Sequence, residues 1–130
     1  IDEVSPQDDV EALPAIVERH PEVLYLVAGR THPEVARLEG EIDSLNQELA
    51  PLRSFVLPGG SPAASYLHLA RTISRRAERL MVALAARPGE TVGEAALRYI
   101  NRLSDFLFVA ARSANDKGKL DVTWVPGKNR

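Results

Sequence analysis

Apolar positions recur at helical spacing over most of the chain. Val35, Leu38, Ile42, Leu45 and Leu49 fall at three- and four-residue steps and form one apolar stripe. With Thr31 or His32 ahead of Pro33 as a start, they predict a helix running to about Arg53. Phe55-Val56-Leu57-Pro58-Gly59-Gly60 then reads as a turn-rich connector. Ser61-Pro62, an N-cap followed by proline at the first helical position, opens a second helix to about Ala86, where Arg87-Pro88-Gly89 stops it. Its expected packing stripe is Ala63, Ala70, Ile73, Ala77, Leu80 and Leu84. Thr91 and Glu94 have the spacing of a capping box and open a last helix to about Ala114. Leu97, Ile100, Leu103, Leu107 and Ala111 make its core stripe, and Asn115-Asp116-Lys117-Gly118 closes it. Three long helices joined by short connectors predict a mainly all-α protein, an antiparallel helical bundle.

The first thirty-odd residues follow another pattern. Residues 1–8 are polar, and Asp8 or Asp9 can cap a short helix over Val10–Arg19, although Pro14 falls inside it. His20-Pro21 ends that segment. Val23–Ala28 is a continuous apolar run stopped by Gly29, which reads best as a buried strand. The only other strand-like stretch is Asp121–Val125, so either the two pair or the first packs as something else. The expected organisation is one compact domain, with a divergent N-terminal piece over 1–32 and the bundle over 33–130.

Composition narrows the classes. At 130 residues, 45% hydrophobic and 26% charged, the chain has the make-up of a globular domain. Without cysteine it has no disulfide, zinc–thiolate site, iron–sulfur cluster or thiol nucleophile, which fits a cytoplasmic setting. No apolar run approaches membrane-spanning length. Neither a membrane nor nucleic acid is expected as a partner. The chain begins at Ile1, as a fragment or a chain shortened upstream would.

The net charge of −2 conceals a division. Residues 1–60 carry twelve acidic residues against four arginines, and residues 61–130 carry six against twelve basic ones. The C-terminal half either meets something anionic or neutralises the other half across a fold or an oligomer interface.

The sharpest candidate chemistry lies on the second long helix. Arg71, Arg75, Glu78 and Arg79 fall at i, i+4, i+7 and i+8 and share one face, with Arg76 beside them. Guanidinium groups this close repel one another unless an anion or carboxylates lie opposite, and their planar forks suit phosphate oxygens. An exposed basic face or a row of interface ion pairs explains the same pattern. On the last helix Asn101 and Asp105 lie one turn apart, followed by Phe108 and Arg112. Asp105 could orient a guanidinium and Asn101 a ligand hydroxyl, or both could form a polar seam between helices. His68 has no second histidine at i+4, so no metal site is expected. Trp124 reads as a packing anchor. No nucleophile–base arrangement stands out, and no catalytic side chain is assigned.

Taken together, Phe55-Val-Leu-Pro-Gly-Gly-Ser61, His68-Leu-Ala-Arg71, Arg75-Arg-Ala-Glu-Arg79, Asn101-Arg-Leu-Ser-Asp105 and the tail Asp121-Val-Thr-Trp-Val-Pro-Gly127 resemble PduO-type corrinoid adenosyltransferases, in order and spacing, over about residues 35–130. Such enzymes transfer the 5′-deoxyadenosyl group of ATP to cob(I)alamin, giving adenosylcobalamin and triphosphate. The resemblance implies a helical bundle, a homo-oligomer that is most often a trimer, ATP with Mg²⁺ at the subunit interface, and cobalamin as substrate. It implies ATP contacts for Arg75, Arg76, Glu78, Arg79 and Asn101. Arg71 would structure the site through an acidic partner, and Asp105 would order the corrinoid side. Phe55 would press on the lower face of the corrin and keep a lower axial ligand away. The family's Thr-Gly-Asp-rich phosphate-binding segment and its first acidic helix have no counterpart in residues 1–40, where the sequence looks instead like a βα piece of a GT4-type glycosyltransferase. The alternative expectation is a non-catalytic helical oligomerisation module derived from the adenosyltransferase family.

Overall fold

The computed structural model describes residues 34–128. Its elements are α1 (Glu34–Asn46), β1 (Val56–Leu57), α2 (Pro62–Ala85), α3 (Glu94–Ala114) and β2 (Val122–Thr123). The mainly helical expectation holds. α3 is the middle helix and packs against both α1 and α2. The short helix and apolar run expected over residues 10–28 lie outside the described residues.

Local signals set most boundaries. Ser61 has extended backbone and its Oγ accepts from the amide of Ala64 at 3.1 Å, with Pro62 opening α2 as expected. At the far end of α3, Asp116, Lys117 and Gly118 all take positive φ and end the helix where the sequence said it would.

Two boundaries differ from expectation. α1 stops at Asn46 rather than near Arg53, because Pro51 disfavours helical backbone at Ala50 and the chain has already tightened into i+3 turns at Glu48 and Leu49. Its stripe of Val35, Leu38, Ile42 and Leu45 is half-buried as expected. The cap of α3 is Gly93, with no side-chain bond, so Thr91 and Glu94 do not form a capping box. An apolar brace stands in its place. Val92, just before the cap, and Leu97 both pack on the Met81–Ala96–Ile100 cluster, the arrangement of a hydrophobic staple.

The tail does form a strand, but its partner among the described residues is the connector read as turn. Val56 pairs with Thr123 and Leu57 with Val122, antiparallel. This small ladder ties the two ends of the helical pair together.

The packing face of α2 also differs from the predicted stripe. Ala64, His68, Ser74, Met81 and Leu84 are buried, while Ile73 is 61% exposed and Ala63 is exposed. Small and polar residues let α2 approach α3 closely, whereas the larger Tyr66, Leu69 and Ile73 face outward. Ala77 and Leu84 keep their expected inward positions. Among the described residues no helix is long and apolar enough to cross a membrane.

Candidate functional site

The arginine row straddles the edge of the α2–α3 contact. Arg71 turns inward, its guanidinium 5.2 Å above the ring of Phe108, which places a cation over an aromatic face. Its Nε is buried and finds no acceptor among the described residues. One turn on, Arg75 ion-pairs with Glu78, and Arg76 and Arg79 are exposed. Glu78 is the hinge of the group. One carboxylate oxygen accepts from Arg75 and the other from Asn101 Nδ2 at 2.8 Å, which joins α2 to α3. Asn101 Oδ1 in turn accepts from Arg102 at 2.7 Å, and Arg102 pairs with Asp105 at 3.1 Å.

Sequence spacing thus brings Arg75, Glu78 and Asn101 into one hydrogen-bonded chain. Asp105 pairs with a guanidinium, but with that of Arg102 on its own helix and not with an arginine of α2. Arg102 itself was not singled out. Its signal was the i+3 spacing to Asp105. A cleft of about 470 Å³ opens beside this chain, with Glu39, Glu78 and Glu94 facing Arg98, Asn101 and Arg102. Glutamates and arginines together leave the cleft of mixed sign, and the exposed Arg76 and Arg79 lie on the outer flank of α2.

His68 sits under the row. It is 4% exposed, its ring stands edge-on to Phe108 at 6.4 Å, and its Nε2 finds no partner among the described residues. Burial, reinforced by the nearby Arg71 charge, holds it below the ordinary histidine range. The folded state therefore favours the neutral ring. Its contribution to stability is present above the unfolded value of 6.5 and is lost as the pH falls through the folded value. His68→Leu should flatten the decline in melting temperature between about pH 7 and pH 5. A decline as steep as in the wild type would remove His68 as its source.

The second region is the β1–β2 ladder. Phe55, 78% exposed, stands edge-on to Trp124 with ring centroids 6.3 Å apart. The Trp124 amide donates to the Phe55 carbonyl at 2.8 Å, and Ser54 Oγ donates to the Trp124 carbonyl at 2.6 Å. Leu52, Trp124 and Val125 are each about half exposed around it, an apolar patch of the sort that marks a binding surface. A groove of about 790 Å³ runs along these residues. Trp124, expected as a packing anchor, is therefore part of this open surface.

Comparison with known proteins identifies the lineage. The family model for cobalamin adenosyltransferase matches residues 11–114, which is most of the chain. The chain belongs to the cobalamin adenosyltransferase family. It is 50% identical over 96 residues to a corrinoid adenosyltransferase of Mycobacterium tuberculosis, covering 74% of this chain and 49% of the relative. It is 53% identical over 85 residues to one of Bacillus subtilis, covering 65% and 43%. A variant PduO-type ATP:corrinoid adenosyltransferase from Lactobacillus reuteri, solved with cobalamin and ATP, superposes with a TM-score of 0.67 at 40% identity, covering 75% of this chain and 52% of that one. The chain spans about half the length of the curated relatives it matches. The family match begins at residue 11, well before the motifs that carried the resemblance. The glycosyltransferase likeness of residues 10–40 finds no support in these comparisons.

Proposed function

We propose that this chain carries the helical part of a corrinoid adenosyltransferase site and takes part in transfer of the 5′-deoxyadenosyl group from ATP to cob(I)alamin. In that reaction cobalt(I) attacks the ribose C5′, the C5′–O bond breaks, and triphosphate leaves with the bonding electrons. No side chain forms a covalent intermediate. The protein contributes positioning and charge complementarity. The observation that carries the reading is the Arg75–Glu78–Asn101 chain, which fixes a guanidinium at the edge of two helices beside the exposed Arg76 and Arg79.

In this reading Arg75, Arg76, Glu78, Arg79 and Asn101 hold ATP, with Arg71 and Asp105 structuring the site. Arg71 Nε still requires an acceptor, in keeping with an acidic partner from outside the described residues. Phe55 meets the corrinoid on the apolar ladder surface. Mg²⁺ accompanies ATP on phosphate oxygens; among the described residues no three His, Asp or Glu side chains converge on a metal position.

The proposed assembly is a homo-oligomer, most simply a trimer, in a cytoplasmic setting. The exposed Tyr66, Leu69 and Ile73 at helical spacing on α2 support a partner on that face. Residues 33–130 form the catalytic bundle in this proposal, and residues 1–32 a divergent N-terminal piece.

The same outward stripe favours a second reading, a non-catalytic oligomerisation module of the family. Mixing the chain with ATP, Mg²⁺ and chemically reduced cobalamin decides between them. The adenosyltransferase reading expects the spectral change of cobalt–carbon bond formation and saturable, Mg²⁺-dependent ATP binding by calorimetry. A folded oligomer that shows neither is the module.

A further inference from the structure

Two of the most buried polar side chains lie away from the arginine row, at the C-terminal end of α3. Arg112 is 5% exposed and Asn115 fully buried. Arg112 Nε donates to Asp121 Oδ2 at 2.7 Å, and its Nη2 donates to the Ala50 carbonyl at 2.7 Å. Asn115 Nδ2 donates to the Gly59 carbonyl at 3.0 Å and lies 3.2 Å from Asp121 Oδ1, while its Oδ1 accepts from the Ser61 amide at 2.8 Å. The Asp121 side chain is itself 4% exposed, with each oxygen held by a different residue.

The places gripped are informative. Ala50 precedes β1, Gly59 follows it, and Asp121 precedes β2. Phe55 lies between the anchored Ala50 and Gly59, and Trp124, the aromatic that faces solvent with it, lies three residues beyond the anchored Asp121. The ladder has only two residue pairs, too few to fix its own orientation in water. A buried ion pair is an expensive way to add stability, since apolar residues of similar volume often serve as well. What Arg112 adds is direction, because its planar fork binds a carboxylate and a carbonyl at fixed angles.

We propose that Arg112 and Asn115 are positioning residues, which tie the segments on either side of β1 and the start of β2 to α3 and so set the Phe55–Trp124 pair in the orientation that meets the corrinoid. The proposal rests on the adenosyltransferase reading for its ligand but not for its geometry. Lysine at 112 keeps the charge yet cannot span Asp121 and the Ala50 carbonyl together.

Trp124 is the single tryptophan of the chain, so its fluorescence reports the ladder directly. In Arg112→Lys, with helicity unchanged by circular dichroism, Trp124 should become about twofold more quenchable by acrylamide without any ligand. Cob(II)alamin affinity should fall roughly tenfold while ATP affinity stays within about twofold. If Arg112→Lys does not fold, the double variant Arg112→Met with Asp121→Leu removes both buried charges together and should give the same split. Unchanged Trp124 quenching, unchanged cobalamin affinity, or a parallel loss of ATP and cobalamin binding overturns the proposal. If the wild-type chain binds no cobalamin, the functional reading fails, and the fluorescence arm alone decides whether Arg112 positions the pair.

Discussion

Gly60→Ala should destabilise the protein by about 3–5 kcal/mol, the sum of backbone strain and lost buried hydrogen bonds. Gly60 has φ of +98°, and a Cβ there would stand 2.2 Å from Asn115 Oδ1 and 2.4 Å from its Nδ2. Asn115 cannot yield cheaply. Its amide is fully buried and bonded to Ser61, Gly59 and Asp121, so moving it strands several polar groups at once. A fall in melting temperature of about 10–20 °C is expected. Gly89 supplies the control. Its φ is +82°, but nothing among the described residues lies within 4 Å of its Cβ position, so Gly89→Ala should cost only the backbone term, about 1–2 kcal/mol. Equal losses in the two variants would show that strain alone matters and that the Asn115 contact does not.

The contrast between these glycines shows what a sequence carries and what it withholds. Ser61-Pro62 and Asn115–Gly118 could be read as helix ends because caps are local chemistry, decided within four residues. The end of α1 was misplaced because the apolar stripe continues to Leu49, while Pro51 acts on the backbone without altering the stripe. Pairing of Val56 with Thr123 joins residues far apart in sequence, and two short apolar stretches do not announce each other. The packing face of α2 was read only in part, Ile73 and Ala63 being misplaced, for a related reason. Hydrophobic periodicity ranks large side chains as core, yet α2 meets α3 through Ala64, His68 and Ser74 and turns Tyr66, Leu69 and Ile73 outward. Asn101 and Glu78 were both named from spacing, and the structure joins them directly at 2.8 Å. The pairing of Arg112 with Asp121 could not be read. A charged residue in an amphipathic helix reads as surface, and only the fold reveals that this one is buried with its partner.

Arg75→Ala and Phe55→Ala should separate the two halves of the proposed site. Arg75 is 45% exposed at its side chain and pairs with Glu78 three residues on, a geometry that contributes little to folding. Its removal should therefore leave the melting temperature nearly unchanged. ATP binding should weaken about ten- to a hundredfold, the loss of a charge-assisted donor worth roughly 1.5–3 kcal/mol. The freed Glu78 carboxylate, still tied to Asn101, would add repulsion toward phosphate, so Arg75→Ala should weaken ATP more than Arg76→Ala does. Phe55→Ala should do the reverse. At 78% exposure Phe55 is no core plug, so its truncation leaves little cavity and costs little stability. ATP affinity should hold, while cob(II)alamin loses the spectral signature of a displaced lower axial ligand and becomes harder to reduce. Calorimetry with ATP, cobalamin absorption spectra and thermal melts on both variants check the pattern. If Arg75→Ala spares ATP, or if Phe55→Ala leaves the cobalamin spectrum as in wild type, the corresponding half of the site is wrongly placed. If either variant instead loses stability without a selective loss of its ligand, that residue serves the fold.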